Sequence, residues 1–210
     1  MGVKMSDFTF DEASHTYYLD GVKIPSVSEI IAPLSDYSGI DKEILDNACN
    51  YGKAVHKTIE LWLKCILDED DLSEGLKQPL DEFRKFNISD DFKYPFQCET
   101  QSYSRKLNFA GTVDLAMGLV PYSRIVDIKT RKYNPITDDL QLAGYEILAN
   151  VKCEKYILEL LPNKPYNLIK INNKQAKSMF LYMLDYWWKT NEFEKKTNEF
   201  NEKLNSWRGK

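Results

Sequence analysis

The sequence predicts one α/β or α+β domain: a central β-sheet flanked by helices, entered through an N-terminal β-hairpin and closed by a C-terminal helix. Three observations predict it. Residues 48–67 carry apolar side chains at helical spacing; residues 96–130 switch to short runs rich in β-branched and aromatic residues; and a second helical pattern, 136–150, precedes a further apolar run. The 210 residues, 43% of them hydrophobic, are enough to close one core. With no linker, low-complexity segment or internal repeat expected, 1–210 reads as a single unit: a lead-in over 1–47, a core over 48–171 and a terminal helix over 172–210.

The elements follow in order. Phe8-Thr-Phe10 and Tyr17-Tyr-Leu19 read as short strands, with Asp20-Gly21 as a turn signal. Ser26 is a candidate N-cap with Glu29 as its capping-box partner, ahead of Val27, Ile30, Ile31 and Leu34 at helical spacing. In 48–67 the positions Val55, Ile59, Trp62, Leu63 and Ile66 form one apolar face. Asp68 to Asp71 with Glu74 reads as a solvated loop. Strands are expected at 96–104, 109–117 and 125–130, a helix at 136–150 with Leu140, Ala143, Ile147 and Leu148 inward, and a strand at 155–161 ended by Pro162-Asn-Lys-Pro165. Residues 166–171 are a candidate last strand; from 173 the pattern is helical, with a mixed-charge tail, 189–210, expected to fray.

Composition excludes several classes. Charged residues make up 29%, against a disordered tract, and the net charge of −4 (28 basic, 32 acidic) argues against a globally basic nucleic-acid coat protein. Cys49, Cys65, Cys98 and Cys153 form no CxxC pair, so a zinc ribbon or dithiol redox site is disfavoured; they read as reduced thiols, mostly core fillers, of a cytoplasmic protein. Residues 1–10 hold no signal-peptide core and no stretch is apolar enough to span a membrane. Met1-Gly-Val-Lys-Met-Ser6 fits the loose myristoylation pattern, which arises often by chance.

The chemistry concentrates in four places. In Ile125-Val-Asp-Ile-Lys-Thr130, Asp127 and Lys129 leave the same face of an otherwise apolar strand, which is costly unless they pair or act. Alone, that triplet reads as an ordinary ion pair. Asp114, in Phe109-Ala-Gly-Thr-Val-Asp-Leu115, changes the picture: a turn centred between Val120 and Pro121 sets it opposite Asp127, with Cβ atoms about 4.5–5.5 Å apart. Two facing carboxylates repel, and a hard divalent cation between them removes the conflict. A one-residue slip would destroy the pairing. Gln141 and Tyr145 share one helix face, as do His56 and Glu60, where Glu60 is a candidate to orient His56 or approach the metal.

The order G-x-x-x-H-x-x-x-E (Gly52, His56, Glu60), G-T-V-D (Gly111 to Asp114), V-D-I-K-T (Val126 to Thr130), Q-x-x-x-Y (Gln141, Tyr145), on helix, strand, strand and helix, resembles the PD-(D/E)XK nuclease superfamily, most of all its RecB-like, phage-type (lambda-exonuclease-like) branch. The resemblance spans about 26–161, and Pro25-Ser-Val-Ser-Glu-Ile-Ile31 looks like the lead-in of phage members. It implies a restriction-endonuclease-like core in the order α-β-β-β-α-β. It implies Asp114 and Asp127 as metal-binding acids, the Ile128 carbonyl and His56 as further ligands, and Lys129 as the lysine that positions the attacking water. Gln141 and Tyr145 would support the site and the DNA strand, and Glu99 would be a further acid. Val113 departs from the proline of the family's name, and Asp127 stands where many members have Glu. No cysteine cluster follows Cys153, so no iron–sulfur cluster is expected.

The implied activity is Mg²⁺- or Mn²⁺-dependent hydrolysis of DNA phosphodiesters, as an exonuclease of phage or mobile-element recombination and repair type. Alternatives are an endonuclease on branched or single-stranded DNA or on RNA, and a non-catalytic nucleic-acid-binding subunit. Between 100 and 135, six basic residues (Arg105, Lys106, Arg124, Lys129, Arg131, Lys132) face two acids, a local +4 that suits a polyanion. Tyr103, Phe109 and Tyr133 are candidates to stack on bases. A recombination partner protein is conceivable from the resemblance; a membrane partner is not expected, and oligomeric state is open.

Overall fold

Three short strands open the chain: β1 (Phe8–Asp11), β2 (Thr16–Leu19) and β3 (Val22–Ile24) form an antiparallel meander rather than one hairpin, with Asp20-Gly21 turning β2 into β3 at positive φ. The computed structural model describes residues 7–89, 96–118 and 123–208. The expectations for Met1 to Ser6 and for a turn at Val120–Pro121 therefore lie outside the described residues.

Helix α1 (Val27–Ile31) starts in the expected capping box. Glu29 N–H donates to Ser26 Oγ at 3.0 Å, and Ser26 N–H donates to Glu29 Oε2 at 2.8 Å. The long helix α2 (Lys42–Leu63) begins six residues before the expected start, because Asp41 caps it through the N–H groups of Glu43 and Ile44. It also ends earlier, so Ile66 is exposed rather than part of the apolar face.

Helix α3 (Glu74–Asn87) was not legible in the sequence. Pro79 sits inside it with no N–H for the Gly75 carbonyl, a signal against helix. The Tyr51 hydroxyl donates to that carbonyl at 3.3 Å instead, and the buried stripe of Leu80, Phe83 and Phe86 holds the helix in place.

The main sheet runs β4 (Phe96–Ser104), β5 (Phe109–Met117), β6 (Arg124–Lys129), β7 (Glu154–Glu159), β8 (Asn167–Ile171) in that spatial order. Only β6 and β7 pair in parallel, and α4 (Thr137–Ala149) makes the crossover between them. Helix α5 (Ala176–Arg208) completes the chain. The domain is thus α+β: a five-stranded mixed sheet flanked by helices, with a small antiparallel sheet at the N-terminus.

The sheet is buried on both faces. On one, Val27, Ile30, Phe109, Ile125, Ala143, Ile157 and Phe180 join α1, α4 and α5 to the strands. On the other, Val55, Ile59, Phe83, Phe86, Leu115, Val126 and Ile128 join α2 and α3. Each such side chain removed from water contributes about 1.5–3 kcal/mol. Because Ile125 serves one layer and Val126 and Ile128 the other, β6 is buried from Ile125 to Ile128, and the charge on Asp127 has to be answered by protein.

Two further expectations change. Cys153 is buried, but Cys49 and Cys65 are exposed and Cys98 is half-buried, so most of the thiols are not core fillers. The C-terminal tail stays helical to Arg208, supported by the i,i+4 pairs Asp185–Lys189 and Glu192–Lys196. No helix among the described residues is long and apolar enough to cross a membrane.

Candidate metal centre

Strand register brings the acids together. β5 and β6 pair through Met117↔Arg124, Ala116↔Ile125 and Leu115↔Val126, and the ladder stops there, one step before Asp114 and Asp127. The next backbone donor, the Ile128 N–H, goes to Asp114 Oδ2 at 2.7 Å instead of to a carbonyl. On the other side of β5, the pairs Cys98↔Leu115 and Thr100↔Val113 set Glu99 opposite Asp114. Glu99 has φ 48°, a left-handed conformation that costs a non-glycine residue about 1–2 kcal/mol. Glu99, Asp114 and Asp127 thus occupy consecutive places across three adjacent strands.

Helix α2 delivers His56 to this row. Its Nδ1 lies 3.5 Å from Asp114 Oδ1 and 3.9 Å from Glu99 Oε1, while its Nε2 is 3.1 Å from the Ile128 carbonyl oxygen. With Nε2 donating to the Ile128 carbonyl, the ring turns Nδ1 toward the acids; a metal there would have to displace the Nδ1 proton, while the Nε2 bond is the usual second hydrogen bond of a metal-binding imidazole. One ligand atom each from His56, Glu99 and Asp114 lies within 4.8 Å of the others. Gly52 lets α2 approach: a Cβ there would stand 3.3 Å from Thr130 Oγ1.

Asp127 is fully buried, and neither carboxylate oxygen accepts a hydrogen bond among the described residues. Lys129 Nζ stands 2.7 Å from its Oδ2, an ion pair outside hydrogen-bonding geometry. That lysine donates to Gln141 Oε1 at 2.9 Å, and Gln141 Nε2 donates to the buried Tyr145 hydroxyl at 2.8 Å. The chain Lys129–Gln141–Tyr145 ties the end of β6 to α4. Glycines allow the close packing: a Cβ on Gly111 would be 3.1 Å from Tyr145 Cε1, and one on Gly144 would be 2.8 Å from Phe180 Cε2.

Charges in the cluster adjust to one another. Burial lowers the His56 pKa, but Asp114, then Asp127 and Glu99, outweigh it and raise it to about 9. Burial and the Asp114 charge push Glu99 up to about 7, against the opposing pull of His56. Asp114 ends below its ordinary value because His56, Lys129 and the Ile128 N–H overcome its burial. Asp127 is raised to about 6 by burial and by Asp114, with Lys129 opposing. Lys129 is held above its ordinary value by Asp127 and Asp114 despite burial, so it stays protonated.

Several expected roles change. Asp127 keeps its place in the row but lies outside the mutual His56–Glu99–Asp114 group, with Lys129 Nζ 2.7 Å from its Oδ2. The Ile128 carbonyl, expected as a free ligand, is in contact with His56 Nε2. Glu60 neither orients His56 nor reaches the row: its oxygens are held by Lys57 at 2.8 Å and Lys64 at 2.5 Å, cations closer along its own helix. Arg131, expected to bind DNA, spends its guanidinium on the buried Asp138 at 2.9 and 2.5 Å, pinning the start of α4. Lys132 is exposed. Phe109 is fully buried, Tyr133 donates its hydroxyl to Asp139 at 2.5 Å, and Tyr103 stacks on Phe8, so none is a free base-stacking platform. The sequence reading missed Tyr17, whose buried ring brings its hydroxyl 2.7 Å from Thr112 Oγ1, two residues before Asp114. Nothing local in Thr-Tyr-Tyr-Leu signals that contact.

No family model matches the chain, and no curated protein matches it. Among solved structures, a "putative exonuclease" from Eubacterium rectale resembles it with a TM-score of 0.47 and 13% identity, over 65% of this chain and 64% of that one. The chain therefore spans just under two thirds of that protein, and the likeness concerns part of the chain path alone.

Proposed function

We propose that the chain is a divalent-metal-dependent nuclease that hydrolyses DNA phosphodiesters, with residues 1–210 acting as one nuclease unit. The observation that carries this reading is Asp127: a fully buried carboxylate with no hydrogen bond among the described residues, beside a protonated lysine and one strand away from the His56–Glu99–Asp114 group. A purely structural carboxylate at that depth is hydrogen-bonded. One oxygen without a partner among the described residues, and a second held only by the Lys129 ammonium, next to other hard donors, fit a cation instead.

The donor set suits a hard or borderline divalent ion, three carboxylates and an imidazole, with no thiolate among them. Asp114, Asp127, Glu99 and His56 are the residues that would hold it. When bound, Mg²⁺ or Mn²⁺ would supply positive charge against the phosphate oxygens and acidify a water. Lys129, kept protonated, is a poor general base; it serves as a fixed cation that orients the nucleophile and offsets charge on the phosphate. Gln141 holds the Lys129 ammonium, Tyr145 holds Gln141, and Ile128 holds both Asp114 and His56. The motif order's resemblance to the phage-type branch supports DNA ends as the substrate.

End-labelled linear DNA and a closed circle, incubated with Mg²⁺ or Mn²⁺, test the reading. Loss of ends with the circle spared is expected. Nicking of the circle instead makes the protein an endonuclease, and binding without cleavage removes the catalytic reading altogether.

A further inference from the structure

Helix α5 carries a repeat that overturns the expectation of none. Thr-Asn-Glu-Phe-x-x-Lys occurs twice in succession, at 190–196 and 197–203. The helix is 33 residues long, about 50 Å. Its first half packs on the domain through Ala176, Phe180 and Leu184, with Met183, Trp187 and Trp188 alongside. Past Trp188 none of the described side chains joins the core, and every described side chain between 191 and 198 is exposed.

The exposed apolar residues fall in register. Met179, Tyr186 and Phe193 are seven apart and 48%, 52% and 71% exposed, with Tyr182 beside them at 73%. In the sequence the same step continues to Phe200 and Trp207. Four residues after each of the first four stand Met183, Thr190, Thr197 and Leu204, so the spacing alternates four and three over 29 residues, about four heptads. Thr190 and Thr197 donate their hydroxyls to the carbonyls of Tyr186 and Phe193 at 3.0 and 2.9 Å, leaving no hydroxyl to be stripped of water by a partner. Met183 leans on the domain, but past Trp188 no described side chain of the stripe lies against the core, and an apolar stripe so placed is a coiled-coil seam lacking its second strand.

We propose that α5 pairs with α5 of a second copy of this chain as a parallel, two-stranded coiled coil along 179–207. Charge decides both the occupant and the direction. Lys189 and Lys196 each precede a seam threonine, and Glu194 follows Phe193. In a parallel pair Lys189 of one copy meets Glu194 of the other, five positions on, and the two-fold axis makes that contact twice. An antiparallel pair would set the lysine row against itself. The pairs Asp185–Lys189 and Glu192–Lys196, at 2.6 and 2.7 Å, lie on the flank and support each helix by itself. This inference stands apart from the nuclease reading.

Sedimentation equilibrium of the full chain tests it. The expected mass is twice 24.5 kDa, falling to the single-chain value in Phe193→Glu with the circular dichroism of the folded domain kept. Lys189→Glu and Glu194→Lys should each weaken the dimer about tenfold or more, and the double variant should restore it. A single-chain mass for the wild type overturns the proposal, as does a Phe193→Glu protein that remains dimeric. A double variant no better than the singles overturns the parallel arrangement.

Discussion

Asp114 Oδ2 accepts the backbone N–H of Ile128 at 2.7 Å, so the first acid is fixed by the strand that carries the second. That bond replaces the next rung of the β5–β6 ladder and keeps Asp114 from turning away from Asp127. Two carboxylates that repel are held in place by backbone rather than by each other. The cost of that arrangement is what cation binding would recover.

Replacing Asp127 should end catalysis without ending folding. Asp127→Ala leaves Lys129 held by Gln141 and facing Asp114, so the circular dichroism spectrum should match wild type. Cleavage of linear DNA with Mn²⁺ should drop by more than about 100-fold, the scale of losing one electrostatic element of a preorganised site. Turnover at the wild-type rate would take Asp127 out of the mechanism.

Metal should stabilise the fold through a defined set of side chains. Mn²⁺ at one hundred times its dissociation constant adds about 2.7 kcal/mol, read as a rise in Tm. Asp114→Asn and Glu99→Gln should abolish most of that rise. Glu60→Gln should leave it intact, because Lys57 and Lys64 already occupy that carboxylate. An equal loss in Glu60→Gln would return Glu60 to the ligand set.

Acid should act through Asp138. Arg131 and the Asn134 N–H, overcoming its burial, hold the Asp138 carboxyl below its ordinary value. A depressed folded pKa means stability that is present above the unfolded value, near 3.8, and lost as pH falls through the folded one. Asp138→Asn should therefore cost about 1.5–3 kcal/mol near neutral pH, the scale of hydrogen bonds to a charged group, since the Arg131 left behind is half exposed, and flatten the acid limb. Urea titrations at neutral and acid pH measure both effects; an unchanged acid limb would contradict the assignment.

Gly144 tests how closely α4 must pack. A Cβ there meets Phe180 Cε2 at 2.8 Å and Val27 Cγ1 at 2.9 Å. Despite alanine's better helix propensity, Gly144→Ala should destabilise by about 1–3 kcal/mol, the cost of overpacking a filled core. A gain in stability on urea denaturation would show that the aromatic ring yields.

Much of the frame was written locally. Ser26 and Glu29 cap each other across three residues, and the alternation in Phe109 to Met117 and Arg124 to Lys129 sets which side chains share a face. Those relations depend on periods of 3.6 and 2 within one element, or on one short turn, so spacing alone reveals them. Asp114 and Asp127 fall into facing places for that reason.

What spacing could not decide was how competing partners divide. His56 and Glu60 share a helix face, yet Lys57 and Lys64 take Glu60 while the acids of another layer surround His56. Arg131 looked like a phosphate ligand until Asp138 proved to be buried beneath it. Glu99 comes beside His56 and Asp114 because β4 pairs with β5 in one register and turns left-handed at that residue. Helix α3 formed across a proline because Tyr51, on another helix, answers the orphaned carbonyl. By itself the sequence determined most of the elements, though not α3, together with their faces and the acids that meet across one hairpin. Tertiary structure decided which charge each acid answers to, because burial leaves only the nearest partners to compensate it and those come from distant parts of the chain.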